Sequence, residues 1–320
     1  MSVMLVAGVV APASAQQDPC PEPNDDLQAA CYLGPGAEGV GYLARPDDVD
    51  AYRFEVLDFN VDAQVELLFA PFAYRITLAD WNGRVVGRAE RGALLARLQV
   101  PGSYFILVDS PDGSASADLP YRLVRRLTYP GRTIPQILYT GEFRPGENTI
   151  NAASSELADH EVLGGRYTIA MKAGGDAAAP ANAWAAWGQE LTDFTLSVDT
   201  RASRGDHAGY QVFFRQTDEG NAYVLTVDLA EARARLTRVA RGEYASTPWR
   251  PVDVGSPGDV VRTVIRCAGP DIRVNVNGAT VIESRDETHA RGRFALGAIT
   301  WSVPATVQFD NVMVTTPSEG

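Results

Sequence analysis

Two cysteines near the start of the chain, Cys20 and Cys31, stand on either side of a polar and acidic loop. They do not match a zinc site, because their spacing is wrong for zinc ligands and no histidine lies nearby. In an oxidising compartment the same pair would form a disulfide, which for so short a loop stabilises by roughly 2–3 kcal/mol. The third cysteine, Cys267, lies in an apolar strand pattern and is predicted to be a buried free thiol.

Residues 1–15 predict that the chain is exported. Residues 3–11 form an apolar run, and Ala13-Ser14-Ala15 has the small-residue pattern of a signal-peptide cleavage site, although the usual positive charges before the run are missing. No later apolar run approaches the ~20 residues that a membrane span needs. We therefore expect a protein that begins at Gln16, is secreted or held at the cell surface, has no membrane span and contains a Cys20–Cys31 disulfide.

The three histidines do not indicate a catalytic site. A Ser–His–acid site needs a histidine placed beside a nucleophile. His160, His207 and His289 all lie in polar, loop-like stretches, and none is near a Gly-x-Ser-x-Gly turn of the kind that presents a nucleophilic serine. We expect these histidines to be solvated and to take no part in catalysis.

Charge and length limit the class of protein. The 40 acidic and 28 basic residues give a net charge of −12, which argues against nucleic acid as a partner. A chain of 320 residues is long enough for two ordinary domains, each with its own core.

Almost every segment after residue 38 has the features of a β-strand. The clearest segments are residues 51–57, 74–86 around an Asn82-Gly83 turn, 103–108, 167–171, 194–199, 210–215, 223–228, 260–267, 272–277 and 307–314. Short strands separated by Gly, Pro and Asn turns predict an all-β protein: two β-sandwich, jelly-roll-like domains in tandem after the signal peptide. We place the domains at residues 16–127 and 135–316, with a linker at 128–134.

In the second domain, the alternation also predicts which residues leave the core. If Phe194, Tyr210, Tyr223 and every second residue after them point inward, the opposite face is polar. That face would carry Thr195, Ser197, Asp199, Gln211, Phe213, Arg215, Val224, Thr226 and Asp228, with Arg273 and Asn275 placed similarly. A polar face with one aromatic ring suits a saccharide, but it is also what an ordinary solvated sheet face looks like. The predicted ligand-binding residues are Phe213 for stacking, Gln211, Arg215 and Asn275 for hydrogen bonds, and Trp249 at one rim.

Five short segments of the first domain carry a family resemblance. They are Glu22-Pro23-Asn24-Asp25, residues 47–54, residues 78–83, residues 101–104 and Tyr121-Arg122-Leu123. In this order, over about residues 20–127, they resemble the bacterial pre-peptidase C-terminal domain. The resemblance implies a jelly-roll-like sandwich appended to secreted enzymes, and hence an accessory role.

The same resemblance implies a calcium site in the first domain. Collagenase members of that family bind calcium with a Glu-x-Asn segment and an Asp-x-x-Asp pair, and the matching positions here are Glu22, Asn24, Asp47 and Asp50. Calcium prefers carboxylate and amide oxygens of this kind. One further acidic ligand of the family has no match, because Cys20 stands in its place, so a disulfide instead of the metal is one alternative. The other is that these residues only cap a turn or face water.

Seven segments of the second domain carry another resemblance. They are residues 138–143, 165–169, 193–196, 212–215, 275–278, 292–297 and 309–312. Over about residues 135–316 they resemble the concanavalin A-like lectin and glucanase superfamily, including its 3-keto-disaccharide hydrolase-like and laminin-G-like members. That superfamily contains both lectins and hydrolases, so the resemblance implies a fold rather than one function. The Glu-x-Asp-x-x-Glu run of its laminarinase-type members does not occur in this sequence.

These observations predict a secreted, non-catalytic binding or adhesive accessory protein. Its expected partner is an extracellular polysaccharide or a cell-surface component, and Ca²⁺ is the one candidate cofactor. Two alternatives stay open: a glycan-processing hydrolase of the 3-keto-disaccharide hydrolase-like type, and a purely structural surface protein.

Overall fold

The structure is a computed structural model that describes residues 20, 22–131, 133–141, 143, 154–176, 180–202, 208–256, 258–302 and 304–317. The predicted signal peptide and His207 lie outside these residues. Within them the regular elements are all β-strands, which confirms the predicted all-β class. The described residues contain no helix that is long and apolar enough to cross a membrane.

The first sandwich is built from nine strands within residues 31–128. They are β1 Cys31–Tyr32, β2 Glu38–Gly41, β3 Val49–Val56, β4 Val61–Leu68, β5 Arg75–Ala79, β6 Val85–Ala89, β7 Ala93–Leu98, β8 Gly102–Asp109 and β9 Tyr121–Thr128. One sheet has the order β1-β3-β8-β5-β6 and the other the order β2-β9-β4-β7. Phe54 on β3, Ile106 on β8 and Leu123 on β9 are buried in one apolar cluster, so the inward residues of both sheets share a core.

The second sandwich follows within residues 137–315. Its strands are β10 Ile137–Gly141, β11 Ala158–Leu163, β12 Arg166–Met171, β13 Ala181–Ala186, β14 Phe194–Ala202, β15 Ala208–Asp218, β16 Asn221–Asp228, β17 Arg233–Ala240, β18 Glu243–Ser246, β19 Arg250–Pro251, β20 Val261–Ala268, β21 Asp271–Val276, β22 Ala279–Arg285, β23 Arg293–Thr300 and β24 Thr306–Thr315. The sheet that we call the domain-facing sheet has the order β11-β12-β24-β14-β20-β21-β22, with β10 beside β24. The sheet that we call the open sheet has the order β13-β23-β15-β16-β17-β18, with β19 beside β17.

The predicted inward side of the second domain is confirmed. The residues expected to point inward, Phe194, Leu196, Val198, Tyr210, Val212, Phe214, Tyr223, Leu225 and Val227, all belong to one buried cluster. The prediction for the outward residues was wrong in one respect: they do not lie together on one surface. Thr195, Ser197 and Asp199 lie on the domain-facing sheet, whereas Gln211 and Phe213 lie on the open sheet. A strand's alternation shows which side a residue takes, but not which sheet the strand joins.

The first sandwich covers the outer face of the domain-facing sheet. Phe59 and Val100 of the first domain are buried in one cluster with Val264 of β20, and Trp81 packs against this cluster. Thr315 at the end of β24 donates a hydrogen bond to the Leu57 carbonyl, with 3.3 Å between oxygens. Thr195, Ser197 and Asp199 are therefore buried rather than solvated.

A buried arginine joins the two domains. The guanidinium of Arg262 on β20 donates to both carboxylate oxygens of Asp199, at 2.6 and 2.7 Å. It also lies over the ring of Trp81 in the first domain, 4.5 Å from the ring centroid. Gly102 of β8 leaves room for it, because a Cβ at this position would lie 1.5 Å from the Arg262 Nη1 atom. The two sandwiches therefore share a cation–π contact and an apolar contact, and the ion pair within the second sandwich holds the arginine in place for the first.

The cysteines take the predicted states. Cys20 and Cys31 form a disulfide with a Cα–Cα distance of 5.6 Å, which confirms the expected pairing. Cys267 on β20 is free and buried, and burial raises the pKa of its thiol to about 12. A thiol with so high a pKa is not a nucleophile near neutral pH.

Candidate functional site

A groove of about 690 Å³ lies on the outer face of the open sheet. Its walls and floor come from β13, β15, β16, β17, β18 and β23. The groove contains two of the predicted binding residues, Gln211 and Phe213, both on β15. We call it the open-sheet groove.

Strand register sets the order of side chains across the groove. Gln211 pairs with Thr226 of β16, which in turn pairs with Arg235 of β17. Two residues further along β15, Phe213 pairs with Val224 of β16, and Val224 pairs with Thr237 of β17. Directly opposite residues of an antiparallel sheet share a face. The polar row of Gln211, Thr226 and Arg235 therefore lies beside the row of Phe213, Val224 and Thr237, which begins with an aromatic ring.

The apolar part of the groove is centred on Phe213. Its ring centroid lies 5.4 Å from that of Trp184 on β13. Glycine at position 297 of β23 makes this pair possible, because a Cβ there would lie 3.1 Å from the Trp184 Cβ and 3.2 Å from the Phe213 ring. Phe213 is 9% exposed and Trp184 is partly buried, so the pair forms an aromatic patch at the floor of the groove, of the kind on which a sugar ring can stack.

The polar part supplies hydrogen-bonding groups at fixed positions. The Gln211 Nε2 atom donates to the Thr226 Oγ1 atom at 3.3 Å, and the hydroxyls of Thr237 and Ser246 lie 2.9 Å apart. The Gln211 Oε1 atom is buried and has no hydrogen-bond partner among the described residues. An acceptor of this kind suits a hydroxyl group of a ligand.

Trp249 supports the groove from its edge. Its ring lies 4.4 Å from the guanidinium of Arg235 and 4.6 Å from that of Arg233. Arg235 lines the groove, whereas Trp249 does not. The predicted rim tryptophan therefore orients a groove residue instead of presenting a free stacking surface.

The first domain holds a second candidate site, made of oxygen atoms. One carboxylate oxygen from each of Glu22, Asp25 and Asp48 lies within 4.8 Å of the others. The Oδ1 atoms of Asn24, Asp48 and Asp50 are buried and have no hydrogen-bond partner among the described residues. Burial of several such oxygens side by side is costly unless a donor or a cation satisfies them.

Asp50 and Asp48 contribute to this oxygen cluster in different ways. Tyr121 donates a hydrogen bond to Asp50, and its hydroxyl lies 3.0 Å from that of Tyr52. Burial raises the pKa of Asp50 to about 7 against the lowering effect of the Tyr121 hydrogen bond. Asp48 is buried while Asp47 is exposed, so Asp48 takes the place in the cluster that the sequence assigned to Asp47.

Known proteins now place the second sandwich in a family. The family model of the 3-keto-alpha-glucoside-1,2-lyase-like domain matches residues 148–315, which is more than half of the chain. The chain belongs to this family. The match confirms the resemblance that the sequence of the second block indicated, and it begins after the strands of the first sandwich. We refer to the second sandwich as the lyase-like domain.

Solved structures resemble the chain only distantly, and no curated protein matches it. A carbohydrate binding module from Bacillus subtilis is 18% identical, with 48% of this chain and 89% of that chain covered and a TM-score of 0.40. A galectin-like protein of unknown function from Bacillus subtilis is 11% identical, with 58% and 100% covered and a TM-score of 0.47. A laminarinase catalytic domain from Thermotoga maritima is 11% identical, with 58% and 99% covered and a TM-score of 0.42. At these identities and scores none of them bears on the function of this chain.

Arg215 does not lie in the groove of the lyase-like domain, contrary to the sequence prediction. The pairing of β15 with β23 shifts between Phe213 and Gln216, and Arg215 has a φ of 48° at this bulge. The extra residue breaks the alternation, so Arg215 turns inward and Gln216 takes the groove position. The guanidinium donates to the carbonyls of Thr192, Gly269 and His289 and is 1% exposed.

Asn275 is also absent from the groove, because it belongs to the other sheet. It lies on β21 of the domain-facing sheet, is buried, and donates to the Thr280 hydroxyl at 3.0 Å. The sequence missed Trp184, Arg235 and Tyr244 as groove residues. The outward alternation of Arg235, Thr237 and Val239 could have revealed one of them.

The described histidines of the lyase-like domain are structural rather than solvated. His289 is buried, with its Nε2 atom 2.7 Å from the Val239 carbonyl oxygen. His160 is partly buried on β11, with its Nδ1 atom 2.7 Å from the Tyr167 hydroxyl. Neither lines the open-sheet groove.

Proposed function

We propose that the protein is a secreted accessory protein whose lyase-like domain binds a glycan in the open-sheet groove. The observation that carries the proposal is the combination of a stacking surface, Phe213 beside Trp184, with hydrogen-bonding groups at Gln211 and Thr226. Sugars present flat C–H faces and a ring of hydroxyl groups, so they need both kinds of contact at fixed separation. Family membership of the second sandwich supports a saccharide as the class of ligand.

Binding without hydrolysis is the version that the groove favours. Glycoside hydrolysis by the usual mechanism needs two carboxyl groups on either side of one bond. Among the described residues that line the groove, Glu219 is the one acid, and no histidine accompanies it. Hydrolysis by this mechanism would therefore need a second carboxyl group, which the described residues that line the groove do not supply.

Substitution of Phe213 tests the proposal. On a glycan array, the full chain should bind at least one oligosaccharide, and Phe213→Ala should weaken that binding about fivefold, because an aromatic contact is worth about 1 kcal/mol beyond its buried area. The control is Arg273→Ala, a change of an exposed side chain on the domain-facing sheet. Thermal melting of all three proteins would separate lost binding from lost folding.

Three results would contradict this assignment. Release of new reducing ends from a polysaccharide would favour the hydrolase. Self-assembly without binding of any glycan would favour the structural surface protein. Equal loss of binding in Phe213→Ala and Arg273→Ala would place the site outside the groove.

We further propose that the first domain holds a calcium ion at the oxygen cluster of Glu22, Asn24, Asp25, Asp48 and Asp50. The Oδ1 atoms of Asn24, Asp48 and Asp50 support it, because they accept no hydrogen bond from a described residue and calcium coordinates six to eight oxygens of this type. The exposed Arg45 approaches the Asp48 carboxylate at 3.7 Å, which is an ion pair but not a hydrogen bond. The disulfide does not replace the metal in this proposal. It ties the loop that supplies Glu22 and Asn24 to β1, and so limits the freedom that the loop would lose on binding.

A further inference from the structure

One arginine of the open-sheet groove stands apart from its neighbours. Strand β17 carries Arg233, Arg235 and Arg238. Arg233 pairs with Asp228 at 3.0 Å and Arg238 pairs with Asp286 at 3.2 Å. Arg235 forms no ion pair with any described residue, and its Nε atom is buried without a hydrogen-bond partner among them.

The surroundings of Arg235 hold a positive charge in place without neutralising it. Burial lowers the pKa of its guanidinium, and the neighbouring charge of Arg233 lowers it further. The ring of Trp249, at 4.4 Å, supports the guanidinium by a cation–π contact. A cation held in one orientation loses little freedom when it binds an anion.

The position of Arg235 ties it to the proposed sugar-binding groups. Its cross-strand partner is Thr226, which accepts the hydrogen bond from Gln211. A ligand that stacks on Phe213 and reaches the Gln211–Thr226 pair therefore meets the guanidinium next. The chain as a whole carries a net charge of −12, so it is not a basic protein that attracts polyanions over its whole surface. A general attraction of this kind therefore does not explain why Arg235 lacks an acidic partner among the described residues.

The chemistry of a guanidinium selects among ligands. Its planar set of N–H donors matches the two oxygens of a carboxylate, whereas a lone hydroxyl group satisfies only one donor and no charge. A buried N–H that a ligand leaves unpaired costs affinity.

From this geometry we propose that the groove recognises an acidic saccharide, and that Arg235 binds a sugar carboxylate while Phe213 and Gln211 bind the sugar ring. The inference rests on the proposed function and goes beyond it by naming the class of sugar and the residue that selects it.

The test compares acidic oligosaccharides with their uncharged counterparts. The probes are galacturonate, glucuronate, mannuronate and guluronate oligomers, each paired with the same oligomer after reduction of its carboxyl groups. Wild-type protein should bind at least one acid about 10- to 100-fold more tightly than its reduced partner, which is the range for a hydrogen bond to a charged group. Arg235→Gln should remove that difference, and Arg235→Lys should keep part of it, because lysine retains charge but not the planar donor set.

Arg238→Gln is the matched control, since it removes an arginine from the same strand that already has an acidic partner. It should leave the preference for acids unchanged. Equal binding of acids and reduced partners, or an unchanged preference in Arg235→Gln, would overturn the inference while the proposed glycan binding, tested by Phe213→Ala, would stand. Tighter binding of sulfated than of carboxylated oligomers would overturn the assignment of a carboxylate. Binding of no glycan at all would overturn both proposals.

Discussion

Two arginines, Arg215 and Arg262, are almost completely buried, and the chain satisfies them in different ways. Arg262 is neutralised by the carboxylate of Asp199. Arg215 relies mainly on backbone carbonyls, and Asp193 at 3.3 Å is its one acidic contact among the described residues. Both residues show that an arginine at an alternating strand position can be buried and can hold neighbouring segments together, instead of lying at the surface.

Truncation of Arg215 should destabilise the lyase-like domain strongly. Arg215→Ala leaves the buried His289 carbonyl without its donor, at a cost of about 1–3 kcal/mol, and removes the donor to the part-buried carbonyls of Thr192 and Gly269. It also empties the space of a side chain that is 1% exposed, and large-to-small changes of this kind typically cost several kcal/mol. We expect a loss of about 3 kcal/mol or more in the free energy of unfolding, measured by urea denaturation. Arg273→Ala, which removes an exposed ion pair with Glu283, should change it by less than about 1 kcal/mol. Equal stability of the two variants would mean that Arg215 is not a structural connector.

At the scale of elements, the entry loop of the first domain and the start of β3 bring their oxygens together. The Asn24 carbonyl accepts the Ala51 amide at 3.0 Å, and Asp48 accepts the Ala44 amide through its other carboxylate oxygen at 2.6 Å. These backbone contacts fix the loop against the strand, so the proposed calcium ligands are held in place by the fold itself.

Calcium should raise the melting temperature of the first domain. A ligand of the folded state at 100 times its dissociation constant adds about 2.7 kcal/mol to the free energy of unfolding. Asp48→Asn should reduce this calcium effect, because it weakens a buried ligand, whereas Asp47→Asn, a change of the exposed neighbour, should not. The measurement is differential scanning calorimetry after chelation, with and without added calcium. If calcium leaves the melting of the wild type unchanged, or if only Asp47→Asn removes its effect, the proposed ligand set is wrong.

At the scale of the whole molecule, the first sandwich acts as a cover for the domain-facing sheet. It buries Asp199 and Arg262, and the Asn82 side chain donates to the Val260 carbonyl at 3.3 Å across the same boundary. The open-sheet groove lies on the opposite sheet of the sandwich. The first domain therefore stabilises the lyase-like domain without restricting access to its groove.

Gly102 is the position at which this coupling can be broken. A Cβ in Gly102→Ala would collide with Arg262, which cannot move aside without leaving Asp199 and Trp81. Gly92→Ala is the control: its φ is also positive, 78° against 128°, but nothing lies within 4 Å of the added atom. Both variants carry a backbone cost, which is roughly 1–2 kcal/mol at the near-left-handed φ of Gly92 and larger at the φ of Gly102. Only Gly102→Ala should split the calorimetric transition into separate melting of the two domains, and identical melting of both variants would contradict the coupling.

The sequence by itself determined the features that depend on local pattern. Alternation along β14, β15 and β16 identified the inward residues, because side chains on a strand repeat every second residue. The segments of the second block identified its family, and the two cysteines of the entry loop identified their disulfide.

Only the tertiary structure decided where the outward residues lie. Asp199 and Gln211 both alternate outward, yet one is covered by the first domain and the other lines the groove, because sheet membership depends on pairing between strands that are distant in sequence. The bulge that turns Arg215 inward has no local sequence signal, since it arises from the register of β15 against β23. Asp47 and Asp48 likewise differ because of the turn before β3, which exposes Asp47 and buries Asp48. The alternation of residues specifies on which side of its strand each side chain lies. What covers that side is set by long-range contacts, which the sequence of a single strand does not encode.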